Sequence, residues 1–290
     1  MTELKSSTLS DKQMIIDAHH HLWKIEHGIY DWIGDEISGI RRDYQPEHLQ
    51  PYLSHLKIDK TILVQAAETL KENELMLDAA ENNSFIGGVV AWVDLLSDTC
   101  ASELDFLASK PIIKGIRPVL QGIDDTNWIL RDEVMRNLSS LPRLNLRFDA
   151  LIQPRHLNAM ETLARQIPDL SVVIDHGAKP IIKNGQAPDQ QWLEGIAKLA
   201  EYPNIYCKIS GLITEYGAGW SAKALQPVTH HLLDTFSPKR IMWGSDWPVL
   251  ELDGSYTQWF SCILELITDL SAQEQKRILG ETAREFYAIE

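Results

Sequence analysis

Met14-Ile15-Ile16-Asp17-Ala18-His19-His20-His21-Leu22-Trp23 (residues 14–23) opens with three apolar residues and runs straight into the spacing His19-x-His21. A short apolar, β-branched run of this kind reads as a strand. Strand side chains alternate between faces, so His19 and His21 share one face about 7 Å apart along the chain while His20 points away. Runs of the same type recur at 61–66, 85–93, 112–119, 144–151, 171–176, 205–210 and 241–246, which with 14–19 makes eight. Helical patterns separate them at 70–82, 102–108, 131–138, 155–166, 190–200 and 222–235, and Ser271 followed by Glu274 forms a capping box that opens the C-terminal helices.

Strands alternating with helices build a parallel sheet, and eight of them in about 270 residues match the size of a (β/α)8 barrel. The competing architecture, an open doubly wound sheet, lacks its Gly-x-Gly-x-x-Gly after the first strand. Residues 1–13 are polar with little periodicity and read as a flexible leader; residues 14–290 read as a single α/β barrel domain.

Composition narrows the function classes. A net charge of -14 with no Lys/Arg cluster argues against nucleic-acid partners, and no apolar run approaches the roughly 18 residues of a membrane span. The leader lacks the apolar core of a signal peptide, so the cytoplasm is the default location. Three widely separated cysteines, Cys100, Cys207 and Cys262, fit neither a disulfide framework nor a cysteine zinc site. A small, weakly charged substrate is the expected partner, and homo-oligomer formation stays open.

Barrels place their chemistry at the C-terminal ends of strands. His19 and His21 on strand 1, His176 on strand 6 and Asp246 on strand 8 all fall there. One such histidine is most often a satisfied core residue, but four matching positions make a set. Three neutral imidazoles and a carboxylate suit one divalent metal, zinc by donor preference, with Asp246 as ligand or general base. A metal-free alternative has the imidazoles polarise a carbonyl directly while Asp246 activates water. Lys114 is the one candidate bridging ligand for a second metal and reads better as structural. Arg117, Gln65, Trp92, Trp23, Lys208 and Trp247 are the expected substrate-binding residues, with Asp94 and Asp149 as further polar groups near strand ends. The patternless loop 24–46 after strand 1 is positioned to cover the site, and with 122–128 it would carry specificity.

Four blocks, Asp17 to Trp23, Asp175-His176-Gly177-Ala178-Lys179-Pro180, Cys207-Lys208-Ile209-Ser210-Gly211-Leu212 and Met242-Trp243-Gly244-Ser245-Asp246-Trp247-Pro248, together resemble the signature blocks of the amidohydrolase-related lactonases. Gly115 to Gln121 and Phe148 to Leu151 are similar to two further blocks, and the order holds from residue 14 to the C-terminus. The resemblance implies a (β/α)8 barrel that hydrolyses lactones, chiefly sugar lactones of the fuconolactone and rhamnonolactone kind. It implies a reaction centre of His19, His21, His176 and Asp246, with the metal requirement differing among members. Binuclear relatives carry an additional strand histidine and a bridging lysine; with only His176 at the later strand ends, one metal at most is expected. Two rival readings remain: a metal-dependent decarboxylase of an aromatic acid, and a non-catalytic barrel that binds a sugar acid.

Overall fold

The computed structural model describes residues 14–290; the leader 1–13 lies outside the described residues. Eight parallel strands follow one another round a barrel in sequence order: β1 (Ile16–His20), β2 (Lys60–Val64), β3 (Ile86–Ala91), β4 (Ile113–Ile116), β5 (Arg147–Ala150), β6 (Val172–Ile174), β7 (Ile205–Ile209) and β8 (Ile241–Trp243). The expected strands are all present but shorter than the apolar runs, because the flanking residues turn out of the ladder toward the helices.

The intervening helices α1 (Pro46–Leu56), α2 (Leu70–Asn82), α3 (Cys100–Ala108), α4 (Asp132–Leu138), α5 (Leu157–Gln166), α6 (Gln190–Ala200), α7 (Leu212–Tyr216), α8 (Ala222–Phe236) and α9 (Tyr256–Leu266) wrap the barrel. Side-chain oxygens at their starts satisfy free backbone N–H groups: Thr69 caps α2, Asp189 caps α6, Ser221 caps α8 and Ser255 caps α9. Ser271 and Glu274 make the expected capping box at α10 (Ala272–Lys276). Helix α1 has no counterpart in the sequence reading, since Pro46 at its start and Pro51 inside it interrupt the pattern. Leu104, Leu163, Ile196 and Leu232 pack with the outward strand residues Ile116, Phe148, Val172 and Cys207 in the larger apolar cluster.

Inside the barrel a second cluster gathers Ile16, Ala18, Ile62, Val64, Val90, Val173 and Met242 with Phe286, Tyr287 and Ile289 from the chain's end. The C-terminal segment thus plugs the bottom of the barrel. Lys114 lies at that end, where its ammonium donates to the Ala288 carbonyl at 3.2 Å. It is therefore no bridging ligand for the strand-end histidines.

Strand parity alone would send His19 outward, because Ile16 and Ala18 already face the interior. A register shift between Asp17 and His20 breaks the alternation. His20 then turns to Thr61, with its Nε2 2.9 Å from the threonine hydroxyl, and His19 and His21 turn inward.

Candidate active site

The four expected residues meet at the top of the barrel. His19 Nε2 and His21 Nε2 are 3.2 Å apart, and Asp246 Oδ1 lies 3.7 Å from the first, 3.4 Å from the second and 3.8 Å from His176 Nε2. All four are buried.

Local backbone accounts for their aim. His176 and Asp246 sit just beyond β6 and β8, in left-handed conformations with φ of 53° and 59°. These are conformations a side chain adopts only when its surroundings hold it there. Gly211, at φ 64°, leaves the room His176 needs: a Cβ there would lie 2.7 Å from His176 Nδ1 and 3.1 Å from Asp246 Oδ2. Ser210 Oγ, 2.8 Å from His176 Nδ1, fixes the ring.

Proton positions follow from the partners. The Val64 carbonyl, 2.8 Å from His21 Nδ1, can only accept, so His21 turns an unprotonated Nε2 to the site. His19 Nδ1 lies 3.2 Å from the Lys208 ammonium, which can only donate, and 3.3 Å from Asp175 Oδ1, which can only accept, so its Nε2 carries the proton in the first pairing and is bare in the second. Burial pushes the His19 pKa well down and that of His176 to about 4, so both are neutral imidazoles, the form that ligates metals. Burial alone would raise Asp246, but His176, His21 and His19 outweigh it and hold the carboxylate ionised, well below the usual range.

In the first pairing His19 Nε2 donates to His21 Nε2 across 3.2 Å; in the second the two bare nitrogens face each other as ligands to a shared cation would. Donor spacings of 3.2–3.8 Å also resemble the roughly 3.4 Å edges of a tetrahedron around zinc with bonds of about 2.0–2.1 Å. His19, His21 and Asp246, with donor atoms all within 4.8 Å of one another, therefore form a three-donor set that fits one divalent cation, with His176 Nε2 3.8 Å from Asp246 beside it. His19, Asp175 and His176 also bring donor atoms within 4.8 Å of one another, but Asp175 is already engaged by cations below.

Beneath the imidazoles lies a charged layer built from Lys208, Arg117 and Asp149, which the sequence reading placed singly at the pocket, and Asp175, which it gave no role. The Lys208 ammonium, fully buried, stands 2.5 Å from Asp149 Oδ2 and 3.0 Å from Asp175 Oδ1. Arg117 Nη1 reaches Asp175 Oδ2 at 3.3 Å, and the Tyr287 hydroxyl donates to Asp149 at 2.6 Å. Burial opposes ionisation of Asp175, yet Lys208, His19 and Arg117 hold it well below the carboxylate range. Asp175 adjoins His176 in sequence, and that adjacency was the only signal available.

A cavity of about 420 Å³ opens over the centre, with His21, His176, Asp246, Gln65 and Arg117 at its floor. Ala66, Ala67, Val119, Leu151 and Val249 line its apolar wall. Loop 24–46 contributes Ile29, Asp31 and Trp32, and paired Trp23–Tyr44 backbone bonds of 2.9 Å close its base.

Of the expected substrate-binding residues, Gln65 and Arg117 line this cavity and four others do not. Lys208 points down into the charged layer. Trp23 is drawn back by its indole N–H, which donates to the Arg42 carbonyl at 2.8 Å. Trp247 donates to Glu251 Oε1 at 3.0 Å, and Trp92 is held through its backbone, which exchanges hydrogen bonds of 2.7 and 2.9 Å with the Asn73 side-chain amide. Asp94 is exposed outside the cavity, and Asp149 belongs to the buried layer.

Residues 16–289 match the amidohydrolase family. The chain is 36% identical, over 95% of its length and 96% of the relative's, to an L-fucono-1,5-lactonase of Burkholderia ambifaria. It is 31% identical to an L-fucono-1,5-lactonase of Burkholderia multivorans, covering 94% of this chain and 96% of that protein. A crystal structure of an amidohydrolase from Burkholderia multivorans with bound zinc superposes with a TM-score of 0.89 at 30% identity, covering 96% of this chain and all of that one.

Proposed function

The chain belongs to the amidohydrolase family, and from that premise we propose that it hydrolyses lactones, a neutral sugar 1,5-lactone being the preferred class. The observation that carries this is the Asp246 carboxyl within 3.4–3.8 Å of three imidazole nitrogens, at the floor of a cavity of about 420 Å³. The two fuconolactonase relatives support a sugar lactone.

A cyclic ester needs a nucleophilic water, a base for its proton and stabilisation of the developing oxyanion; it needs no strong acid to expel an amine. Asp246 takes the proton of a water as its oxygen bonds to the carbonyl carbon and the C=O electron pair moves to oxygen. When that pair returns, the ring C–O bond breaks and the leaving oxygen takes the proton back from Asp246. His19 and His176, where they carry their proton on Nε2, donate to the developing negative charge, and Gln65 and Arg117 orient the ring. His19, His21 and Asp246, with His176 beside them, would also hold one divalent cation, with zinc supported by the donor types, and a bound cation supplies Lewis-acid charge stabilisation and acidifies water.

A panel of sugar lactones read with a pH indicator, with and without chelator and added zinc, tests this. Acid release is expected on sugar lactones, lost on chelation and restored by zinc. Ring opening that survives in a sample shown to be metal-free would return the mechanism to direct polarisation by imidazole. Asp246→Asn should lose about a thousandfold in kcat with an unchanged circular dichroism spectrum; near-normal turnover in that variant sinks the assignment. Carbon dioxide release from a hydroxybenzoate without lactone opening would favour the lyase alternative.

A further inference from the structure

We infer that Glu68 determines specificity, suiting the cavity to neutral, hydroxyl-rich lactones and turning away lactones that carry a carboxylate or sulfonate; this rests on the lactonase reading above.

Every cation that lines the cavity is already engaged. Arg117 gives Nη1 to Asp175 and Nη2 to the Gln65 carbonyl. Lys179 lies 3.0 Å from Glu215. Each cation that lines the cavity thus already faces a carboxylate or carbonyl of the protein, and an anionic substituent would have to share it rather than meet a free charge.

The acceptors are in the opposite condition. Glu68 at the cavity rim has no cationic partner among the described residues, and Asp94 nearby has the same sign. Gln65 is fully buried at the floor, and its Oε1 has no hydrogen-bond partner among the described residues. Arg117 Nε is a donor in the same condition.

Both acceptors stand on one segment, Gln65-Ala66-Ala67-Glu68, and that segment is clamped. Glu72 Oε2 accepts the backbone N–H of Ala66 at 2.9 Å and of Ala67 at 2.7 Å. The Gln65 amide also donates to the Arg117 carbonyl at 2.7 Å, which aims Oε1 without occupying it.

Two acceptors on one clamped segment and one donor match vicinal hydroxyls, each of which donates and accepts at once. A carboxylate or sulfonate offers acceptors alone. It would place acceptor against acceptor at Gln65 and like charge against Glu68.

The test uses the full-length protein, holding whatever metal it carries, and two probes: an aldonolactone, and the aldarolactone in which a carboxylate replaces the terminal hydroxymethyl group. The readout is the ratio of kcat/KM for the neutral over the anionic probe, at low and high salt. Wild type should favour the neutral lactone. Glu68→Gln should shrink the ratio about fivefold and Glu68→Lys about thirtyfold, from a charge roughly 8 Å away at an effective dielectric of about 40. Salt should compress all three ratios toward one another. Because Glu68 is exposed at the rim, both variants should fold, which thermal melts check. A ratio within twofold of wild type in both variants overturns the proposal, as does a wild type that prefers the aldarolactone. A wild type that opens neither probe overturns the lactonase reading, and the assignment of Glu68 with it.

Discussion

Replacing Lys208 by Met should cost about 3–5 kcal/mol of stability, because it removes one partner from a buried ion cluster and strands the others. The ammonium lies fully buried, 2.5 Å from Asp149 and 3.0 Å from Asp175. Asp175 keeps Arg117 at 3.3 Å, whereas Asp149 keeps only the neutral Tyr287 hydroxyl at 2.6 Å. Met fills much of the lysine stem's volume, so the loss is electrostatic rather than a cavity. Burial and the neighbouring Asp175 charge already push the Asp149 pKa up, and without Lys208 that carboxylate must take a proton or draw in water. For 290 residues the unfolding entropy is roughly 0.6 kcal/mol per kelvin, so the melting temperature should drop by roughly 5–8 °C. Urea unfolding at pH 7, followed by circular dichroism with the slope held to its wild-type value, measures the loss. Adding Asp149→Asn removes the stranded charge yet keeps an acceptor for Tyr287, and should recover half or more. A single-variant loss under about 1 kcal/mol, or a double variant no more stable than the single, refutes the reasoning.

Gly211→Ala places a Cβ 2.7 Å from His176 Nδ1 at φ 64°. It should lower kcat/KM more than about tenfold, while Gly217→Ala, whose backbone at φ 81° and ψ -159° is less tolerant of a side chain but has open space around it, should cost about 1–3 kcal/mol of stability and leave turnover unchanged. Equal activity in the two variants would remove His176 displacement as the cause. Burial raises the Glu72 pKa to about 7 against the Ala67 and Ala66 N–H groups that oppose it. The folded state therefore holds a proton that the unfolded state has released, and stability should fall as pH rises from about 4.5 to about 7, then level off, with roughly 3 kcal/mol as the upper bound. Glu72→Gln keeps an acceptor for both N–H groups and should lose that component of the slope; parallel urea curves at pH 5 and pH 8 for the two proteins compare them.

The strand-end set was legible because both of its signals are local: an apolar run marks each strand, and the polar residue that follows it marks the barrel's upper face. The same locality explains what was not legible. Lys208 follows the rule for a strand-end group, but nothing near it in sequence reveals Asp149 and Asp175 pulling it downward. Trp23 and Trp247 adjoin His21 and Asp246 closely enough to suggest indole walls, yet each indole is claimed by a polar partner in another segment, the Arg42 carbonyl and the Glu251 carboxylate. The shared face of His19 and His21 was expected from simple alternation; the structure reaches it through a register shift that no residue type announces. Glu68 sits between a strand and a helix, where no periodicity singles it out.

The closure of the barrel and the formation of the site are one event. The Asp246 N–H donates to the His19 carbonyl at 2.8 Å, and the His21 N–H donates to the Trp247 carbonyl at 2.7 Å, so the residues that bring the carboxylate to the imidazoles are also those that join the last strand to the first. Asp17 locks the seam from beneath, accepting the Ser245 N–H and the Tyr256 hydroxyl, each at 2.7 Å. Gly244 lets the two strands meet, since a Cβ there would lie 2.7 Å from that of His19. Left-handed backbone at a non-glycine residue costs about 1–2 kcal/mol. Asp246 and His176 keep that conformation because the seam and the Gly211 turn leave them no other. Any change that opens the seam should therefore move the carboxylate away from the imidazoles before it unfolds the barrel.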